Sequence, residues 1–147
     1  MSTRFNLGRV QPAAYQALAA LDNYIMQTSI PQPLQEIIRI RASQINGCAY
    51  CVHAHSSDAR KAGVSESKIE LLTAWKEAPN VFDPEEQLLL AMTEDITRIH
   101  ERGLRDDLYQ QALTTFGEVK TAQIIMTIIH INAWNRIGVG LKMQPEL

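Results

Sequence analysis

Apolar residues recur at spacings of three and four along nearly the whole chain, and this periodicity constrains the fold more than any other feature. Valine and isoleucine are present, but no stretch alternates apolar with polar at period two, so nothing reads as a half-buried strand. The fold class expected is all-α. At 147 residues the chain has the length of one domain and can bury a core without disulfide staples. It shows no repeat, low-complexity tract or long linker, so residues 1–147 read as a single domain, a helical bundle of six to seven helices. The first expected helix is 12–28, opening on Pro12, with Ala14, Leu18, Leu21 and Ile25 on one face. The next runs from about Pro33 to Gln44 and stops at Asn46-Gly47, residues that tolerate the left-handed backbone ending a helix. A third spans about 48–62, and a short fourth opens at Ser65 and runs through Leu71, Leu72 and Trp75. Asp83, Pro84 and Glu86 then form a strong helix start, followed by a stripe of Leu89, Met92, Ile96 and Ile99 up to Gly103. Segments 105–116 and 118–137 complete the set, separated by Gly117. The last is apolar on several faces, which marks it as central or as a subunit interface.

The charge balance excludes some partners. Net charge is -2, so there is no basic footprint for nucleic acid and no polybasic membrane patch. The stretch MSTRFNLGRV holds no apolar run of signal-peptide length, and no segment reaches the roughly 18 apolar residues of a membrane span. The expected setting is the cytoplasm, with neither nucleic acid nor membrane as partner. A cysteine pair there is reducible, and is more often catalytic, redox-active or metal-binding than structural.

Both cysteines of the chain fall in one stretch, with the pattern E-x11-C-x2-C-x3-H carried by Glu36, Cys48, Cys51 and His55. Cys48 lies at the expected start of a helix, where unpaired N–H groups favour a thiolate. Cys51 is one turn further, within disulfide reach. His55 follows it by four residues on the same helix face, where an imidazole can take the thiol proton. Such help matters because an ordinary cysteine has a pKa of about 8.5. If the flanking helices fold back antiparallel about Asn46-Gly47, Glu36 comes level with residues 56–57, within a turn of His55. A carboxylate there would orient the ring and stabilise its charged form. The dipole favours Cys48 as the more acidic thiol, while the relay favours Cys51.

The wider run R-x-S-x-x-N-x-C-x-Y-C-x-x-x-H reads here as Arg41, Ser43, Asn46, Cys48, Tyr50, Cys51 and His55. With Glu36 it resembles the alkylhydroperoxidase-D-like branch of the carboxymuconolactone decarboxylase superfamily, over about 20 residues. The resemblance implies an all-helical fold, assembly as a homotrimer or homohexamer, and thiol-dependent reduction of hydrogen or alkyl hydroperoxides. Cys51, activated through His55 and Glu36, would attack the peroxide, and its sulfenic acid would condense with Cys48. No cofactor or metal would be bound. An external dithiol donor protein, lipoylated or thioredoxin-like, would reduce the disulfide. The sequence departs from some members in having Tyr50, not histidine, directly before Cys51. A phenol donates a hydrogen bond but is a poor base at neutral pH.

Blander readings apply around this stretch. The four residues could instead be zinc ligands, although structural zinc prefers more cysteine and histidine. His53 is a possible accessory but points off the Cys51–His55 face. His130, Asn132, Asn135 and Arg136 read as helix-end caps or interface pairs, with lining a pocket as the other option. Arg39 and Arg41 read as solvated or paired, and Trp75 and Trp134 as core or interface anchors. His100 suits a helix C-terminus and needs no further role. Two other functions compete with the peroxidase. One is a lyase of the carboxymuconolactone decarboxylase type, whose chemistry has no need of a cysteine pair. The other is a non-catalytic redox-sensing or metal-binding module.

Overall fold

The computed structural model describes residues 2–147, and all the regular structure among them is helical. A short α1, Leu7–Val10, precedes α2, Pro12–Met26, which begins on Pro12 as expected. Then come α3, Gln32–Asn46, and α4, Ala49–Lys61. The short α5, Glu66–Leu71, continues into a 3-10 segment, Leu72–Glu77. α6, Pro84–Thr97, is followed by a single turn, α7, Ile99–Arg102, and by the long α8, Asp106–Gly140. The bundle is therefore as expected, with shifted boundaries. The segment 83–103 divides at Arg98, and Ile99 leaves the buried stripe to become 56% exposed. Within α8, segments 105–116 and 118–137 are separated at Gly117 as expected, where φ of +76° and ψ of 170° are non-helical and kink the element.

Local chemistry explains the starts and stops. Asp83 accepts from the Glu86 amide at 2.9 Å, and the Glu86 carboxylate accepts from the Asp83 amide at 2.9 Å, closing a capping box. Gly47 ends α3 with φ +69°, ψ 30°, a left-handed conformation that costs glycine nothing. The chain reverses there, and α3 and α4 form a hairpin.

α3 is the central element. Every residue from Gln35 to Ser43 is buried, against α4, α6, α8 and the 3-10 segment. On one side Ile38 packs with Leu89, Met92, Ile124 and Ile128; on the other Ile37 and Ile40 pack with Ala59, Leu72, Trp75, Phe82 and Leu90. Each fully buried isoleucine or leucine contributes about 1.5–3 kcal/mol. The last helix, expected to be central or at a subunit interface, packs on α3 and α6 and leaves Val119, Ile129 and Val139 exposed. α2 buries only Ile25, while Leu18 and Leu21 are half-buried and Ala14 is exposed.

The centre of α3 is charged, so its burial depends on pairing. Arg41 donates to Glu94 from Nε at 3.1 Å and Nη2 at 2.9 Å, and Trp75 and Lys76 donate to the same carboxylate at 2.8 and 2.6 Å. Burial opposes ionisation of Glu94, but these donors overcome it and hold the carboxyl below its ordinary range. No described helix is long and apolar enough to cross a membrane.

Candidate active site

The α3–α4 hairpin assembles the motif. Cys48 is the N-cap of α4, its sulfur accepting from the Cys51 amide at 3.3 Å, and the two cysteines are joined as a disulfide with Cα atoms 5.3 Å apart. Glu36, 1% exposed, reaches across from α3 so that its Oε2 lies 2.8 Å from His55 Nδ1. Its Oε1 accepts from Arg39 Nη1 at 2.8 Å, and Arg39 Nη2 donates in turn to Asp22 on α2, also at 2.8 Å. Arg39 and Arg41 are thus paired and buried rather than solvated. With Nδ1–H of His55 given to the carboxylate, Nε2 is left as the basic nitrogen.

A cavity of about 480 Å³ opens on this line, bounded by Cys51, His55, Tyr50, Asp22, His130 and Trp134. Cys51 lines it and Cys48 does not. Tyr50 forms part of its wall, whereas His53 is exposed on the outer side of α4 and lies outside it. His130 is 2% exposed, and burial lowers its pKa to about 4; Asp22 opposes this shift, while Arg39 and His55 add to it.

α8 is fastened to α3 by amides. Asn46 Nδ2 donates to the Asn132 and Asn135 side-chain oxygens at 2.9 Å each, and Asn135 Nδ2 donates to Ser43 Oγ at 2.9 Å. These asparagines are therefore inter-helix ties, not the helix-end caps or interface pairs expected from sequence, and Arg136 folds back onto Asn132. The reason is spacing. Ile124, Ile128, Ile131, Asn135 and Gly138 fall on one buried face of α8, and that face meets the hairpin. At its end Gly138 packs on the disulfide, where an added Cβ would lie 2.7 Å from Cys48 Sγ and 3.3 Å from Cys51 Sγ. Trp134 likewise is a wall of the cavity rather than a core anchor, edge-on to Tyr15 with ring centroids 5.4 Å apart. Trp75 is the core residue expected, and His100 is exposed in α7.

Three members of the site were not singled out from sequence: Asp22, Gly138 and Trp134 as a cavity residue. Asp22 had a signal, being the only charged residue in Pro12–Met26. Gly138 had one too, since a glycine within a helix costs about 1 kcal/mol against alanine and points to close packing. As for metals, the two sulfurs are bonded to each other and are not thiolate ligands. Glu36, His55 and Asp58 bring donor atoms within 4.8 Å of one another. Both Glu36 oxygens are already engaged there, and the Arg39 charge beside them opposes a cation.

The chain is 36% identical over 141 residues to the uncharacterized protein YdfG of Bacillus subtilis, covering 96% of this chain and 95% of that one. It is 36% identical, with a TM-score of 0.95 over 99% of both chains, to the crystal structure of a protein of unknown function from Agrobacterium tumefaciens suggested to be the antioxidant defence protein AhpD. An uncharacterized peroxidase-related protein from Silicibacter shares the fold at TM-score 0.79 and 22% identity, over 89% of this chain and 69% of that one. A sequence profile for the carboxymuconolactone decarboxylase family matches residues 12–95. The chain belongs to the carboxymuconolactone decarboxylase family, and its fold is that of the AhpD-like proteins.

Proposed function

We propose that the protein is a thiol-dependent peroxidase reducing hydrogen or alkyl hydroperoxides through the Cys48–Cys51 pair. The observation that carries the reading is the disulfide at the start of α4 with the Glu36–His55 pair one helix turn away. The suggested AhpD assignment of the Agrobacterium neighbour supports it. In the reduced protein His55 Nε2 takes the proton of the Cys51 thiol, and Glu36 holds the ring and stabilises the imidazolium. The thiolate attacks the terminal oxygen of the hydroperoxide; an S–O bond forms, the O–O bond breaks, and the leaving alkoxide takes the proton from His55. Cys51 becomes a sulfenic acid and the peroxide becomes an alcohol. The Cys48 sulfur then attacks Cys51, water leaves, and the disulfide forms. A dithiol donor protein, lipoylated or thioredoxin-like, restores both thiols by exchange and is itself oxidised. Cys51 as the attacking thiol is supported by its place on the cavity wall, which Cys48 lacks. Tyr50 serves as a wall and hydrogen-bond donor, and His53 has no part.

A homotrimer or homohexamer is part of the same reading, supported by exposed apolar side chains on α2, Tyr24 and Met26, and by an open apolar groove of about 600 Å³ that includes Ile99 and Ile129. The setting proposed is the cytoplasm, where dithiol donors are reduced.

Reduced protein mixed with peroxide and no donor should consume about one peroxide per site as the disulfide forms, then turn over when dihydrolipoyl protein or a thioredoxin is added. Turnover retained in Cys51→Ser would rule out this nucleophile. Decarboxylation of a carboxylated lactone that survives replacement of both cysteines would favour the lyase.

A further inference from the structure

The charged groups on the wall of the Cys51 cavity are of one sign. Asp22 from α2 and Asp58 from α4 both line it, with side chains 44% and 45% exposed. Among the described residues, no lysine or arginine lines the cavity. The cations paired with these carboxylates leave the balance negative. Arg39 is buried and shared between Asp22 and Glu36, one positive charge between two carboxylates. Lys61 approaches Asp58 only to 3.5 Å, is 73% exposed, and faces the outer side of α4 rather than this cavity. The two histidines add no net charge. Burial, which Asp22 opposes, lowers the pKa of His130 to about 4, so its ring is neutral at neutral pH. His55 becomes positive only when it holds the Cys51 proton, and the thiolate formed then cancels that charge. Trp134 Nε1 donates to His130 Nε2 at 2.9 Å, so its one donor is not free for an anion. The rings of Tyr15, Tyr50 and Trp134 complete the wall, and aromatic faces are electron-rich.

We propose that Asp22 and Asp58 make the site selective by charge: it takes uncharged or cationic organic hydroperoxides and turns away those that bear a carboxylate. The inference rests on the peroxidase reading and adds the substrate class to it. A cavity of about 480 Å³ holds a small organic molecule. A charge on such a molecule stays within about one Debye length, roughly 10 Å at 0.1 M salt, of the two aspartates. At that range and in half-exposed surroundings, like-charge repulsion changes a rate by roughly two- to tenfold per carboxylate. The uncharged alkyl or aryl body lies against the rings, Ala54 and Met143, where loss of apolar surface from water holds it. The aspartates act on entry, and the chemistry at Cys51 is unchanged. The same charge opposes the carboxylated lactone of the lyase reading.

Single-turnover reactions of the reduced protein with cumene hydroperoxide and with its 4-carboxylate read the selection directly. At low salt the wild type should prefer the uncharged peroxide by about tenfold, after each rate is divided by that with free cysteine. The preference should fall severalfold in Asp22→Asn and in Asp58→Asn, and to near unity in the double variant. It should shrink likewise in about 1 M salt, where charges several ångströms apart are screened. A second reaction needs no peroxidase activity: reduction of the Cys48–Cys51 disulfide by dithiothreitol, which is uncharged, and by dimercaptosuccinate, which is anionic. Each substitution should speed the anionic reagent severalfold relative to the uncharged one. Asp22→Asn keeps an oxygen for Arg39; if it does not fold, Asp58→Asn, at a half-exposed position, carries the test. A wild type indifferent to the carboxylate, or ratios unmoved by the substitutions, would overturn the proposal. If the wild-type protein consumes no hydroperoxide, the peroxidase reading fails by itself, and the dithiol ratio still decides whether the two aspartates filter what reaches the disulfide.

Discussion

Burying His130 neutral makes folding stability depend on pH in a window where the carboxylates are silent. The unfolded chain binds a proton at histidine near pH 6.5, whereas the folded protein does so only near 4. Between these values the unfolded state carries more protons, so stability is complete above pH 6.5 and falls as pH is lowered. The cost reaches about 2 kcal/mol at pH 5 and about 3 kcal/mol at pH 4, from 1.36 kcal/mol per pH unit. Glu94 and Asp95 act at lower pH. Burial opposes their ionisation, but hydrogen bonds from Lys76, Trp75 and Arg41 to one, and from Arg105 to the other, depress both. Their contributions are intact above the ordinary carboxylate range and are lost below it. Urea unfolding at half-unit steps from about pH 7.5 to 5 should therefore give a steeper decline for the wild type than for His130→Leu. The variant also leaves the Trp134 N–H without its acceptor, a constant offset that does not change the slope. The difference between the two curves also cancels the other histidines. Parallel curves over this range would refute the assignment of a buried, neutral His130.

Other outcomes follow from the same contacts. Glu36→Gln removes the charge that holds His55 and one of the buried partners of Arg39; single-turnover peroxide reduction should slow about a hundredfold and stability should fall by about 3 kcal/mol in denaturant titration. Gly138→Ala puts a Cβ 2.7 Å from Cys48 Sγ, so the oxidised protein should lose about 1–3 kcal/mol, more than the dithiol-reduced protein in paired melting curves. Equal losses in the two forms would mean that the disulfide does not press on this helix. Glu94→Gln strips a carboxylate from Arg41, Trp75 and Lys76 and should cost about 3 kcal/mol in chemical denaturation, while the single-turnover rate stays within about twofold of wild type.

Much of the architecture was legible because it depends on local rules. Pro12, the Asp83–Glu86 capping box and Gly47 each act within one turn of chain, so their effect can be read from neighbouring residues. The hairpin register followed from the same rules, since a tight reversal at Asn46-Gly47 and a fixed rise per residue leave Glu36 little choice but to meet His55. Where periodicity was read as burial, it misled. Ile99 fell on the expected buried stripe with Leu89, Met92 and Ile96, yet beyond the break at Arg98 it is 56% exposed. α3, with Glu36, Arg39 and Arg41, did not look central and is the most buried of all.

The sequence alone determined the helical class, the hairpin and the meeting of carboxylate, imidazole and cysteine pair, because these arise from contacts between residues at most about twenty positions apart. Only the tertiary structure decided what surrounds them. Asp22 reaches Arg39 from α2, Glu94 reaches Arg41 from α6, and His130, Trp134 and Gly138 come from a helix some eighty residues beyond the disulfide. A charge can be buried only if a partner arrives to pair with it, and His130 stays neutral well below pH 6.5 only because its surroundings are dry. Both conditions belong to the assembled fold, and neither is written in the neighbouring residues.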